Sequence, residues 1–155
     1  MIFPYKRYSI NPSRVIPRNV LYRPMVPLRI LGPKDDVYFW ALVDTGADET
    51  LLPRSIGEVL GVNIDDTQSG WVGSFGGGRL PAAPGDVELE LSRDGQTIKW
   101  SAMIGFVPFE DPTEEIALLG HAGCLELFQV IFDGEAQQLE ITPTSAFFGS
   151  ITGKV

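Results

Sequence analysis

Asp44-Thr45-Gly46 follows the apolar run 41–43 directly and precedes Ala47-Asp48-Glu49-Thr50-Leu51-Leu52-Pro53, so a carboxylate stands on a tight turn at the end of a buried-type strand. Two carboxylates in close contact share one proton, because like charges that near cannot both ionise. The ionised member can then activate a water molecule while the protonated member polarises a carbonyl, which is the chemistry of peptide-bond hydrolysis. The chain supplies one such carboxylate. Asp94-Gly95 and Asp133-Gly134 lack a hydroxyl residue between acid and glycine, and neither follows a buried-looking strand in the same way. A length of 155 residues suits one domain and is too short for two lobes with a core each. A two-fold homodimer would supply the missing acid as Asp44 of a second chain.

The elements that must position Asp44 follow from alternation and punctuation. Residues 26–31 and 37–43 read as a hairpin across Gly32-Pro33-Lys34-Asp35-Asp36, and its second strand ends at the turn. Pro27, which cannot donate to a ladder, predicts an edge or bulge position in the first strand. Residues 53–61 read as a short helix or turn, 87–91 and 97–107 as two strands, 109–115 as an acidic loop, and 130–132 with 138–141 as a terminal hairpin. Gly70-Trp71-Val72-Gly73-Ser74-Phe75-Gly76-Gly77-Gly78 has the glycine content of a hairpin tip that can approach a ligand closely. No repeat, second domain or low-complexity tract is present. The organisation read from the chain is a basic arm at 1–21, one domain at 22–145 and a tail at 146–155.

Three signatures occur in a fixed order: residues 41–53, the glycine-rich segment, and Ile116-Ala117-Leu118-Leu119-Gly120-His121-Ala122-Gly123. In that order they resemble the retropepsin-like (retroviral-type) aspartic proteases, bacterial members in particular, over roughly positions 22 to 132. The resemblance implies an all-β, closed-barrel lobe with one short helix, active as a homodimeric aspartic endopeptidase on a peptide or protein substrate. It implies Asp44 as the catalytic carboxylate, Thr45 as the hydroxyl tying two catalytic turns together, and Gly46 as the residue that lets backbone pass close to substrate. The paired Asp44 groups would titrate as one unit with an acidic to near-neutral optimum.

The same resemblance implies that Asp48 and Glu49 accept backbone hydrogen bonds from an extended peptide. Leu42, Leu51, Val72, Ile116 and Leu118 would line apolar pockets, and Gly73, Ser74 and Phe75 would belong to a flap over residues 71–79, with Phe75 at its tip. Plain core packing is the competing reading of the apolar residues. The strand at 116–119 would cross beneath the catalytic turn, and a short helix would follow within 122–128. Arg23-Pro24-Met25-Val26 resembles a retroviral run whose Arg pairs across the dimer, which implies Arg23 with Asp48 of the other subunit. His121 stands where retroviral enzymes carry a buttressing Arg. It could make a weaker, pH-dependent contact with Asp48, or cap and pack at the start of the helix. The chain also runs past the point where retroviral subunits end. The alternative from another class is a catalytically inactive dimeric peptide-binding or scaffolding module on the same fold; a third reading makes the basic arm a propeptide.

Composition bounds these readings. The chain is 44% apolar and 21% charged, with three Trp and nine Phe, enough to fill a core. No apolar run has the length of a membrane span and no secretory signal is evident, so the expectation is a cytoplasmic protein without membrane partners. The single Cys124 excludes an intramolecular disulfide framework, fits a reducing compartment and reads as a buried structural thiol. With one Cys and one His three residues apart, neither a Cys-His dyad nor a zinc set is expected, and no cofactor or metal is implied. Residues 1–34 carry seven cations and no acid; against a total of −8, the remainder carries −15. Such a basic segment would dock on the acidic body or remain solvated. Nucleic-acid binding is not expected, because the acidic remainder would repel phosphate.

Overall fold

The computed structural model describes residues 1–73 and 78–153. The chain opens with three short strands, β1 (Ile2–Pro4), β2 (Lys6–Ser9) and β3 (Val20–Arg23). β4 (Met25–Leu31) and β5 (Asp36–Val43) form the antiparallel hairpin that the Gly-Pro-containing connection predicts, with Leu28 opposite Phe39 and Ile30 opposite Val37. β6 (Leu51–Pro53) leads straight into α1 (Arg54–Leu60), which buries Ile56, Gly57 and Leu60 on one face and stops at Gly61, whose φ of 69° is the left-handed cap a glycine accepts most easily. β7 (Gly70–Gly73) and the long β8 (Arg79–Arg93) follow, then β9 (Gln96–Val107), reached through a two-residue turn at Asp94 and Gly95. Both turn residues have positive φ (51° and 82°), as tight hairpins require. β10 (Ala117–Leu119), β11 (Phe128–Asp133), β12 (Gln138–Pro143) and β13 (Ser150–Gly153) complete the strands among the described residues.

Six of these strands close a barrel in the order β9-β6-β10-β5-β4-β8, with β8 paired back to β9 along residues 83–93. Closure removes the free edges of an open sheet and leaves one interior to fill. Val26, Leu28, Ile30, Leu52, Leu89, Leu91, Ile98, Phe106 and Leu119 fill it, each fully or almost fully buried. Their period of two along β4 and β8 is the alternation of a strand with one buried face. Two parallel contacts interrupt the otherwise antiparallel barrel: β10 beside β5 (Leu118 opposite Leu42) and β6 beside β9 (Leu52 opposite Phe106). Pro27 pairs opposite Trp40 of β5 but lies one residue outside the ladder to β8, which spans Leu28 to Leu31. β4 is therefore an interior strand, and the proline occupies the point where its second ladder has ended.

The first residues and the segment after β12 are built into the structure as far as residue 153. β1 adds to the terminal hairpin β11–β12, with Phe3 opposite Leu139 and almost wholly buried. β2 pairs with β3, and Lys6 stands over the Trp40 ring at 4.2 Å. The first nine residues are thus docked, not a solvated arm. β13 lies along β9, and Phe147 packs on Phe128, which meets Trp100 edge to face at 5.1 Å. The Trp100 Nε1–H donates to the Gly123 carbonyl (2.9 Å), so its ring fills the core with its polar atom satisfied.

The segment after the second signature departs from expectation. No α-helix forms across 122–128; a single 3-10 turn at Leu125–Leu127 does, and α1 is the only α-helix among the described residues. Gly123 has φ of 83° and Cys124 has φ of −146°, neither compatible with a continuing α-helix, so the backbone kinks before one can start. Among the described residues no helix is long and apolar enough to cross a membrane.

Candidate active site

Asp44 is the first residue beyond β5, and its backbone and side chain are both fixed. Its N–H donates to the Leu119 carbonyl at the end of β10 (3.1 Å), and Ala47 N–H donates to the Asp44 carbonyl (3.3 Å). Gly46 N–H donates to Asp44 Oδ1 (2.9 Å), an Asx-type turn that orients the carboxylate. A Cβ at position 46 would come within 3.3 Å of that oxygen, so glycine keeps the carboxylate uncrowded. Oδ2 has no partner among the described residues of the chain. β10 lies in the sheet beside the strand that carries the turn, joining β5 on one side and β6 on the other.

Beyond the turn, residues 47–50 are laced to 120–123. His121 N–H donates to the Ala47 carbonyl, Ala122 N–H to the Asp48 carbonyl and Thr50 N–H to the Ala122 carbonyl, each at 2.9 Å. Thr50 is fully buried, and its Oγ1 accepts from Gly120 N–H (3.3 Å). A Cβ at Gly120 would overlap the Glu49 carbonyl and stand 2.9 Å from the Ala47 carbonyl oxygen. The glycine of the second signature is therefore required by close backbone approach, and the two signatures are one interlocked unit.

Above this unit lies a cleft of about 560 Å³. Asp44, Gly46, Ala47, Asp48 and Glu49 form its floor; Leu51, Ile116, Leu118, Val107 and Phe109 line it from β6, β9 and the approach to β10; Trp71, Val72, Gly73 and Leu80 close the opposite wall from β7 and β8. Three carboxylates and a largely apolar surface thus face one space, with no cationic residue in the lining among the described residues. The β7–β8 wall is held at its base by a clamp. Arg54 on α1 donates through Nη1 and Nη2 to the two carboxylate oxygens of Asp66 (2.6 and 2.9 Å), in the 3-10 turn Asp66–Gln68 that precedes β7. That bond holds the Asp66 carboxyl below the usual carboxylate range. Asp65 N–H donates to the Pro84 carbonyl of β8 (2.9 Å), tying the same turn to the other strand.

Of the residues expected at the site, Asp44, Gly46, Asp48, Glu49, Leu51, Val72, Gly73, Ile116 and Leu118 line this one cleft. Ser74 and Phe75 lie outside the described residues. Thr45 is exposed beside Asp44 and does not line the cleft, and Leu42 is half-buried in the β5–β10 ladder. Arg23 stacks over the Tyr8 ring at 5.2 Å on β2. His121 is exposed, and among the described residues neither it nor Arg23 forms an ion pair within the chain. The Cys124 thiol is buried and pushed up to about 12, first by burial and then by the nearby Glu126, which leaves it protonated and unreactive. Among the described residues no three of His, Cys, Asp and Glu come together as a metal site. Sequence reading did not single out Trp71, Leu80, Val107 and Phe109 as lining residues, nor Thr50 as the buried lock. Trp71 is 69% exposed despite its size, and its place in a glycine-rich segment was the available signal.

Comparison with protein-family models gives no match, and comparison with curated proteins gives none either.

Proposed function

We propose that the chain is one half of a homodimeric aspartic endopeptidase of the retropepsin-like type. The observation that carries this reading is the Asp44 turn: a carboxylate with one oxygen held by Gly46 N–H and the other unpartnered among the described residues, on the floor of a largely apolar cleft of about 560 Å³. Across a two-fold axis the two Asp44 carboxylates share a proton. The ionised member takes a proton from water as its oxygen attacks the peptide carbonyl, and the protonated member hydrogen-bonds the carbonyl oxygen. The tetrahedral intermediate collapses as a proton passes to the amine nitrogen and the C–N bond breaks. Asp48 and Glu49 offer acceptors to the backbone N–H groups of a peptide lying strand-like between the floor and β7, with the β7–β8 hairpin as the base of a flap.

Thr45 supports the dimeric part of the reading, being exposed beside Asp44 where a partner chain would meet it. So do Arg23 and Asp48, neither with an ion-pair partner among the described residues of its own chain and assigned here to each other across the dimer. The alternative of a catalytically inactive peptide-binding module draws on the same apolar cleft, which is formed within a single chain. A diverse pool of unstructured peptides, incubated from pH 4 to 7 and read by mass spectrometry, separates the two. Cuts made by the wild type and absent with Asp44→Asn support the endopeptidase; retention of ligand by both without turnover supports the module.

A further inference from the structure

A second cavity of about 280 Å³ adjoins the cleft and shares two residues with it, Glu49 and Val72. It is below the ~300–1,000 Å³ of pockets that hold a whole small molecule, and suits one long side chain. Its walls include Ala82, Pro84 and Met103, three apolar surfaces, of which Met103 is largely exposed. Its charged group is an acceptor. The Glu49 carboxylate has no cation beside it among the described residues, and the Gln68 amide, one of whose two N–H groups donates to Asp65 (2.9 Å), adds a carbonyl oxygen as a further acceptor. Among the described residues no Lys, Arg or His is in the lining.

We propose that this side pocket is a subsite for a cationic side chain, Lys or Arg, of the peptide bound in the cleft. The inference rests on the peptide-binding reading above and adds a substrate class to it. A long basic side chain matches the chemistry of the walls: its methylenes pack on Ala82, Pro84 and Met103 while its charged head meets Glu49. An acidic side chain would be repelled there, and an aliphatic one would leave the carboxylate unpaired. In an extended peptide, side chains on one face are two residues apart, about 7 Å. Because Glu49 and Val72 border both cavities, the cationic residue falls two positions from the apolar residue that fills the main cleft.

The test uses the full-length Asp44→Asn chain, so that binding is read without turnover. Labelled peptides carry a central Phe-Leu pair and, two positions to either side, Lys, norleucine or Glu; affinity is read by fluorescence anisotropy. Lys is expected to bind about tenfold tighter than norleucine, as one charge-assisted hydrogen bond provides, and Glu weakest. The Lys advantage should collapse toward one when Glu49→Gln is added, and again when Met103→Lys places a cation of the protein's own in the pocket. Equal binding of Lys and norleucine, an advantage that survives Glu49→Gln, or no binding of any peptide would overturn the inference. Wild-type cleavage of the same peptides is scored separately: equal turnover of Lys and norleucine peptides removes the subsite and leaves the endopeptidase standing, whereas Lys-selective binding without cleavage removes the endopeptidase and leaves the subsite.

Discussion

On the floor of the cleft a Cβ at Gly120 would overlap the Glu49 carbonyl, whereas on the β7–β8 wall a Cβ at Gly70 would meet nothing within 4 Å. The floor is an interlocked unit in which backbone amides, a buried threonine hydroxyl and a glycine leave no slack around Asp44. The facing wall is a two-stranded hairpin with a large exposed Trp71, held chiefly at its base by Arg54 and Asp66. The contrast suits the proposed function: a carboxylate that is to share a proton must be placed to within fractions of an ångström, while a wall that is to meet varied side chains needs surface and room. Glycine serves close approach on one side and leaves open space on the other.

The comparison can be broken at either side. Gly120→Ala should be the most damaging single change, costing about 3 kcal/mol through overpacking against backbone that cannot move aside; thermal unfolding with a Tm close to wild type would show that the floor has slack. Thr50→Val keeps the shape but leaves the buried Gly120 N–H without its acceptor, for an expected loss of about 1–3 kcal/mol in denaturant unfolding. Arg54→Ala should lower Tm only slightly at neutral pH. Asp66 has its folded value depressed by Arg54, so the contribution is present above the ordinary carboxylate range and is lost as pH falls through that depressed value. The wild-type and variant melting curves should therefore converge in acid; a difference that persists below the Asp66 titration would assign Arg54 a packing role instead. Gly70→Ala, at the other extreme, should shift stability by no more than about 0.5 kcal/mol in either direction. A larger loss would mean that the wall is packed as tightly as the floor.

How much of this was legible in the sequence divides along similar lines. The Asp44 turn, the β4–β5 hairpin and α1 were readable because each is encoded locally, by an apolar run, a Gly-Pro connection or a helix bounded by Pro53 and Gly61. Most expected lining residues do meet in one cleft, since the order of the motifs constrains which strands can approach. The docking of β1 on β12 was not readable: Phe3 finds Leu139 across nearly the whole chain, and its three-residue strand has no pattern of its own. The 122–128 segment misled because the resemblance placed a helix there, while the positive φ at Gly123 breaks the backbone before one can start. β8 was seen only as far as 87–91, because Pro81, Pro84 and Gly85 disguise a strand that changes partner from β7 to β9 at residues 82–83. Thr50 gave no signal as a lock, its role existing only once Gly120 is folded beside it.

The central claim is that each chain carries half of one active site, and mixing tests it most directly. Wild type and Asp44→Asn are combined at constant total chain concentration, high enough to keep dimers formed, and peptide cleavage is followed as the wild-type fraction falls. With a dyad shared across a two-fold axis, an equal mixture has about one quarter of its dimers fully wild type and should keep about one quarter of the activity. Activity that falls only in proportion to the wild-type fraction, to about one half, would show that a single chain is catalytically complete and would contradict the account.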